Sequence, residues 1–124
     1  MHETIGYIGL GVMGLPFARH LKSARHRVIV YDRNQSVCQK AAEAGLEPAP
    51  GIAEIVRDAA IVFTCLPDPA AVQEVYAGIG RPGQLAVDNS TVGPALARQL
   101  HAELGARGAA YVECPMLGGM AEAE

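Results

Sequence analysis

Long apolar runs are missing from this sequence. The longest, Ala59 to Leu66, is already interrupted by Thr64 and falls well short of the roughly 20 residues that span a bilayer, so no membrane partner is expected. The opening Met-His-Glu-Thr has no basic region, and glycines break the first apolar stretch where a signal peptide would have its cleavage site. A cytoplasmic address is therefore the expectation. Cysteine is scarce: Cys38, Cys65 and Cys114 are odd in number and far apart, which gives neither a disulfide framework nor metal-ligand spacing. All three are expected to be reduced and mostly buried, and no metal site is expected. Positive charge is in short supply too. Ten Lys and Arg stand against thirteen Asp and Glu, for a net charge of -3 and a pI near 5.8, with no local basic cluster. That excludes the field a polyanion needs, and nucleic acid is not expected as a partner.

The 124 residues are 50% hydrophobic and 19% charged, far from the low-hydrophobicity, high-charge regime of disordered chains. They make one domain with a core of its own and are too few for a two-domain enzyme. Short apolar runs alternate with longer stretches of helical period, the pattern of a parallel sheet covered by helices. Thr4 to Ile8, Arg27 to Tyr31, Ala59 to Cys65 and Leu85 to Val87 read as strands, the last two buried on both faces, and Tyr111 and Val112 begin another. Leu46 to Pro50 is ambiguous, a loop or a strand that its prolines confine to a few residues. Helical stripes lie between: Met13, Phe17, Leu21, then Val37, Ala41, Ala44, then Ile52, Ile55, Val56. Asp68 before Pro69 and Gly93 before Pro94 are helix starts. The stripes Val72, Val75, Tyr76 and Leu96, Leu100, Leu104 follow them, with the second helix expected to stop at Gly105 or Gly108. Right-handed crossovers then predict an α/β fold, a doubly wound parallel sheet in the order 3-2-1-4-5-6.

Directly after the first strand stands Gly9-Leu10-Gly11-Val12-Met13-Gly14, a GxGxxG that opens a helix. Gly9 permits the tight turn, Gly11 lets the backbone approach a pyrophosphate, Gly14 allows close packing of helix on strand, and the free N–H groups of the helix start attract phosphate. A glycine-rich turn needed only for packing would look the same, but Asp32 at the end of the second strand supplies the acidic residue expected about 20 positions on. The pair predicts a Rossmann-type NAD(P)-binding domain. Asp32 suits the ribose hydroxyls and repels a 2′-phosphate, which favours NAD; Arg33 could clamp that phosphate, so NADP stays possible. Cys65-Leu66-Pro67-Asp68 and Asp88-Asn89-Ser90-Thr91 end the next strands, where an open sheet takes its ligands. Asp68 reads as a helix cap, and Thr91 as more open to a ligand.

These residues resemble the β-hydroxyacid dehydrogenases, the 3-hydroxyisobutyrate dehydrogenase group above all. Ile8 to Leu21 looks like the signature GLGxMGxPMAxNL, with Phe17 for Met and His20 for Asn. Leu66-Pro67 resembles the family's Leu-Pro turn, Asp88 to Pro94 its DxSTxxP, and Glu113 to Gly119 its D-x-P-V-S-G-G substrate loop. The resemblance implies a cofactor held by Gly9, Leu10, Gly11, Val12, Met13, Gly14, Asp32 and Arg33, with the nicotinamide half near Leu66, Pro67 and Thr91. Gly118 and Gly119 would face a small 3-hydroxyacid or its semialdehyde, and consecutive glycine N–H groups can form a nest for its carboxylate. Leu117 stands where the family usually has a substrate-binding serine. The sibling 6-phosphogluconate dehydrogenases share the glycine loop but carry a Gly-Gly-Asn-Ser type segment in place of Asp88 to Thr91. An FAD or S-adenosylmethionine site gives no reason for the substrate loop.

The family's lysine, general acid or base in a G-x-x-x-K-x-x-x-N pattern, is absent from these residues, as is the all-helical second domain that follows it. The lysines are Lys22 and Lys40, expected at solvated helix ends. His2, His20, His26 and His101 have no pairing spacing. Residues 1–124 are thus expected to be the cofactor domain of a longer, homo-oligomeric oxidoreductase, with no catalytic residue of their own. A non-catalytic dinucleotide-binding or scaffold module is the alternative.

Overall fold

The computed structural model describes residues 3–115. Strands β1 (Thr4–Ile8), β2 (Arg27–Tyr31), β3 (Glu47–Pro48), β4 (Ile61–Thr64), β5 (Leu85–Asp88) and β6 (Ala110–Glu113) alternate with helices α1 (Gly11–Ser23), α2 (Gln35–Glu43), α3 (Ile52–Asp58), α4 (Pro69–Tyr76) and α5 (Pro94–Ala106). The strands are parallel in the order β3-β2-β1-β4-β5-β6, the doubly wound order expected. The ambiguous segment is the two-residue edge strand β3, where Pro48 lacks a ladder N–H at small cost. On one face Tyr7, Val28 and Val30 pack with Leu10, Ala18 and Ala41 under α1 and α2. The other face, with Ile8, Ile29, Val62 and Ala86, packs on Ile55 of α3, Tyr76 of α4 and Leu100 of α5.

Two expectations change. β4 and β5 are not buried on both faces: Val62, Thr64, Ala86 and Asp88 are buried, while Ile61, Phe63, Leu85 and Val87 are half-buried. The register lines up Phe63, Val87 and Val112 across three strands. Phe17 of α1 reaches Phe63, ring centroids 5.3 Å apart, but among the described residues the cover thins beyond it, and Val112 is 48% exposed. In α2 the buried stripe is Cys38 and Ala41, since Ala44 falls at the exposed C-cap.

Helix ends follow their signals. Asp68 Oδ1 accepts the Ala71 N–H at 2.8 Å, as a cap must. α5 ends at Ala106, and Gly108 turns the chain so that the Ala109 N–H reaches the Leu104 carbonyl. At the opposite end of the sheet from the glycine loop, long polar side chains close the helix C-termini. Arg81 and Gln84 both donate to the Val56 and Ala59 carbonyls at the end of α3, and Arg107 donates to Tyr76 and Ile79 after α4.

α3 lies so close on β1 that a Cβ at Gly6 would sit 2.3 Å from Ile55 Cγ2. Ile55 is fully buried and branched at Cβ, so it cannot swing aside. Gly6→Ala is expected to destabilise the domain by about 1–3 kcal/mol, read as a lowered midpoint in chemical denaturation with the m-value unchanged.

Candidate functional site

The turn from β1 into α1 is compressed on every side. Gly9 has φ +79°, a region that favours glycine, and a Cβ there would lie 2.5 Å from the Cys65 carbonyl oxygen and 2.6 Å from Leu66 Cδ2. At Gly14 a Cβ would meet the Gly9 carbonyl at 3.1 Å and the Tyr7 ring at 3.2 Å, so this glycine sets the approach of α1 to β1, as expected. No side chain caps α1. Its first-turn N–H groups have no partner within the helix, and the positive end of the helix dipole is left for an anion. Leu10 turns inward. Its side chain is fully buried in the core and its N–H is already committed within the protein.

That commitment is to Asp32. Its Oδ2 accepts the Leu10 N–H at 3.0 Å and its Oδ1 the Asn34 N–H at 2.9 Å, so one carboxylate fixes the glycine turn and the start of α2 together. Each carboxylate oxygen has a second lone pair, leaving acceptor capacity for hydroxyls. Asn34, unremarked in the sequence, caps α2 by accepting the Ser36 N–H at 3.0 Å. Beside this pair opens a cleft of about 530 Å³. Gly9, Asp32, Arg33 and Asn34 line one part of it, while Val37, Ile52 and Val75 are among its apolar walls; Cys65, Leu66 and Pro67 close it along β4. Burial, with the charge of Asp88 adding, pushes the Cys65 thiol up, so that wall is neutral.

Other assigned residues fall elsewhere. Thr91 is exposed and is not among the residues lining the cleft. Gly11, Val12 and Met13 form the first turn of α1. Gly118 and Gly119, with Leu117, lie outside the described residues. Lys22 and Lys40 are exposed in the last turns of α1 and α2, and His20 and His101 are exposed on helices. Cys38 is buried as expected, Cys65 is half-buried, and Cys114 is exposed just after β6, the outermost strand among the described residues.

Behind the β4 and β5 turns lies a buried polar network. Asp88, with no exposed surface, accepts the Thr64 hydroxyl at 3.0 Å and the Ser90 N–H at 2.9 Å on Oδ1, and the Tyr111 hydroxyl at 2.8 Å on Oδ2. Since Thr64 gives its proton to Asp88, Tyr76 donates to Thr64 at 2.7 Å. Asn89 accepts from Tyr7 at 2.9 Å and donates to the Cys114 carbonyl at 2.8 Å. Burial raises Tyr7, Tyr76 and Tyr111 above the ordinary phenol range, with the negative charge of Asp88 acting in the same direction. A phenol whose folded-state pKa is raised contributes stability that is full below its unfolded value, about 10, and is lost as pH climbs toward the folded value. The tyrosine contribution is therefore expected to hold level up to about pH 10 and then fall by up to about 1.4 kcal/mol per pH unit for each such tyrosine, with the raised Cys65 thiol adding a shallower loss from about pH 9, measured by denaturation across an alkaline series.

Fold and glycine turn together define an NAD(P)-binding domain of the doubly wound α/β class. The chain belongs to the family of the NAD binding domain of 6-phosphogluconate dehydrogenase, whose model matches residues 4–124. It is 34% identical over 125 residues to the mitochondrial 3-hydroxyisobutyrate dehydrogenase of Mus musculus, covering 96% of this chain and 37% of that protein. Among solved structures, the 3-hydroxyisobutyrate dehydrogenase of Mycobacterium tuberculosis with L-serine superposes with a TM-score of 0.93 at 32% identity, over 98% of this chain and 43% of that one. Psf3, in complex with NADP+ and 2-OPP, gives 0.86 at 33% identity, over 94% of this chain and 44% of that one. The chain thus spans less than half the length of these relatives.

Proposed function

We propose that this chain is the cofactor-binding part of an NAD(P)-dependent oxidoreductase of the 3-hydroxyisobutyrate dehydrogenase type. The enzyme would move a hydride between the alcohol carbon of a small 3-hydroxyacid and the nicotinamide. The observation that carries the reading is the joining of the Gly9 turn and the Leu10 N–H to one carboxylate, Asp32, at the mouth of the 530 Å³ cleft, in a chain with a TM-score of 0.93 to a 3-hydroxyisobutyrate dehydrogenase. L-serine, bound by that relative, is itself a small 3-hydroxyacid, which supports the substrate class.

The residues fit the cofactor. The space at Gly9 that a Cβ would fill, and the uncapped start of α1, suit the pyrophosphate. The free lone pairs of Asp32 suit the adenosine ribose, and Val37, Ile52 and Val75 offer apolar surface to the adenine. Leu66 and Pro67 form the wall for the nicotinamide half, with Thr91 at the adjoining turn. When bound, the nicotinamide supplies the hydride chemistry. These residues bind and orient it, but among them none is placed to move the hydroxyl proton, help worth about 10²–10⁴-fold in rate. Lys22 and Lys40 are on helix surfaces, and Asp32 is occupied with backbone N–H groups. Gly118 and Gly119 remain the proposed carboxylate nest, and a homo-oligomer the proposed state of the longer enzyme.

NAD is the preferred cofactor in this reading, because a 2′-phosphate would meet the Asp32 carboxylate. Arg33, exposed at the cleft, is the counterweight. Titration calorimetry is expected to show tighter binding of NADH than of NADPH. Asp32→Asn relieves the repulsion but also removes one acceptor from the glycine turn. It should weaken NADH while raising the NADPH-to-NADH affinity ratio about tenfold, some 1.4 kcal/mol; an unchanged ratio would place the discrimination elsewhere.

Assayed with NAD+ and either 3-hydroxyisobutyrate or L-serine, the 124-residue chain is expected to bind cofactor without forming NADH. Turnover abolished by Glu113→Gln would overturn this division of labour. The scaffold alternative predicts the same silence, but also no turnover from any longer form of the protein that carries the cofactor domain.

A further inference from the structure

Asp88 is the buried carboxylate that the proposed chemistry leaves unexplained. It has no exposed surface and forms neither of the ion pairs present among the described residues. A buried carboxylate without a cation is costly unless donors surround it. Here three donors do, and they come from three neighbouring strands: Thr64 at the end of β4, Ser90 just after β5, and Tyr111 within β6. The consequence lies one step further on. The Ser90 N–H is held by Asp88, and the Ser90 Oγ in turn accepts the Leu66 N–H at 2.8 Å. Leu66 lines the cleft, and its side chain lies against the position a Gly9 side chain would occupy. A continuous hydrogen-bonded path therefore runs from the buried carboxylate to the cofactor wall.

We propose that Asp88 is a positioning residue for the nicotinamide end of the cleft: by holding Ser90 it fixes the Leu66–Pro67 turn in the place the cofactor needs. Two carboxylates then divide the cleft. Asp32 organises the adenosine end through the Leu10 and Asn34 N–H groups, and Asp88 organises the other end through Ser90. The same residue ties that turn to the path of the chain beyond β6, because its own carbonyl accepts the Cys114 N–H at 2.8 Å. The inference rests on the cofactor reading above.

The test compares a ligand that occupies only the adenosine end, ADP, with NADH, which occupies both. Asp88→Asn replaces an acceptor by a donor facing Tyr111 or Ser90. It is expected to weaken NADH about tenfold and ADP by no more than roughly twofold. It should also lower the fluorescence enhancement of NADH at saturation, since the ring would be held less rigidly. Ser90→Ala cuts only the link to Leu66 and is expected to reproduce the selective loss with its thermal midpoint close to that of the unaltered chain. This second variant decides the matter should Asp88→Asn fail to fold. Equal losses for both ligands, or no loss in a folded Ser90→Ala, would overturn the positioning role and leave the cofactor reading intact. Failure of the unaltered chain to bind NADH or ADP would overturn both together.

Discussion

β1 is hydrogen-bonded along both edges, to β2 on one side and β4 on the other, and the chain leaves this central strand in one direction first and in the other later. Parallel strands need crossovers of a single hand. The reversal therefore throws α1 and α2 to one face and α3, α4 and α5 to the other, and no connection covers the strand ends where the two sets part. That crevice is the cleft. Gly9 sits at its floor because nothing with a side chain could pass between Cys65 and Leu66 there, so one topological constraint determines both the site and the residue type at its centre.

Around that floor the protein uses side-chain oxygen to discipline backbone nitrogen. Asp32 takes two N–H groups, Asp68 one, Asn34 one, and Asp88 and Ser90 between them take two more. Each arrests a turn at the carboxyl end of a strand. The amino ends are handled differently, by Arg81, Gln84 and Arg107 donating into helix carbonyls. Acceptors at one end and donors at the other complement the orientation of the helices, whose N-termini face the cleft and whose C-termini face away.

Much of this was legible in the residues. β1 and β2 match their expected bounds, the order of the strands follows from alternation and handedness, and Asp32 and Asp68 advertise themselves by spacing and by a following proline. What was not legible depends on pairs distant in sequence. Asp88 meets Tyr111 across 23 residues and Thr64 across 24, and only the strand register brings them together. That the Leu10 side chain turns into the core was not legible either, because a glycine motif tells nothing of which side chain turns inward. β4 and β5 were read as buried on both faces because an unbroken apolar run looks alike whether one layer or two will cover it. Residue type alone puts Cys114 inside, while its position just after the outermost described strand leaves it exposed.

The thinning cover over Phe63, Val87 and Val112 bears on how the domain yields. Backbone hydrogen bonds open most readily where few apolar contacts must part with them. β1 and β2 are sandwiched between helices on both faces, whereas β6 is the outermost strand among the described residues, with Tyr111 buried and its other residues exposed. The cost of local opening therefore descends across the sheet, and amide hydrogens should exchange with solvent sooner at β6 than at β1. The side of the cleft beside Gly9 and Asp32 is thus carried by the stiff half of the described sheet.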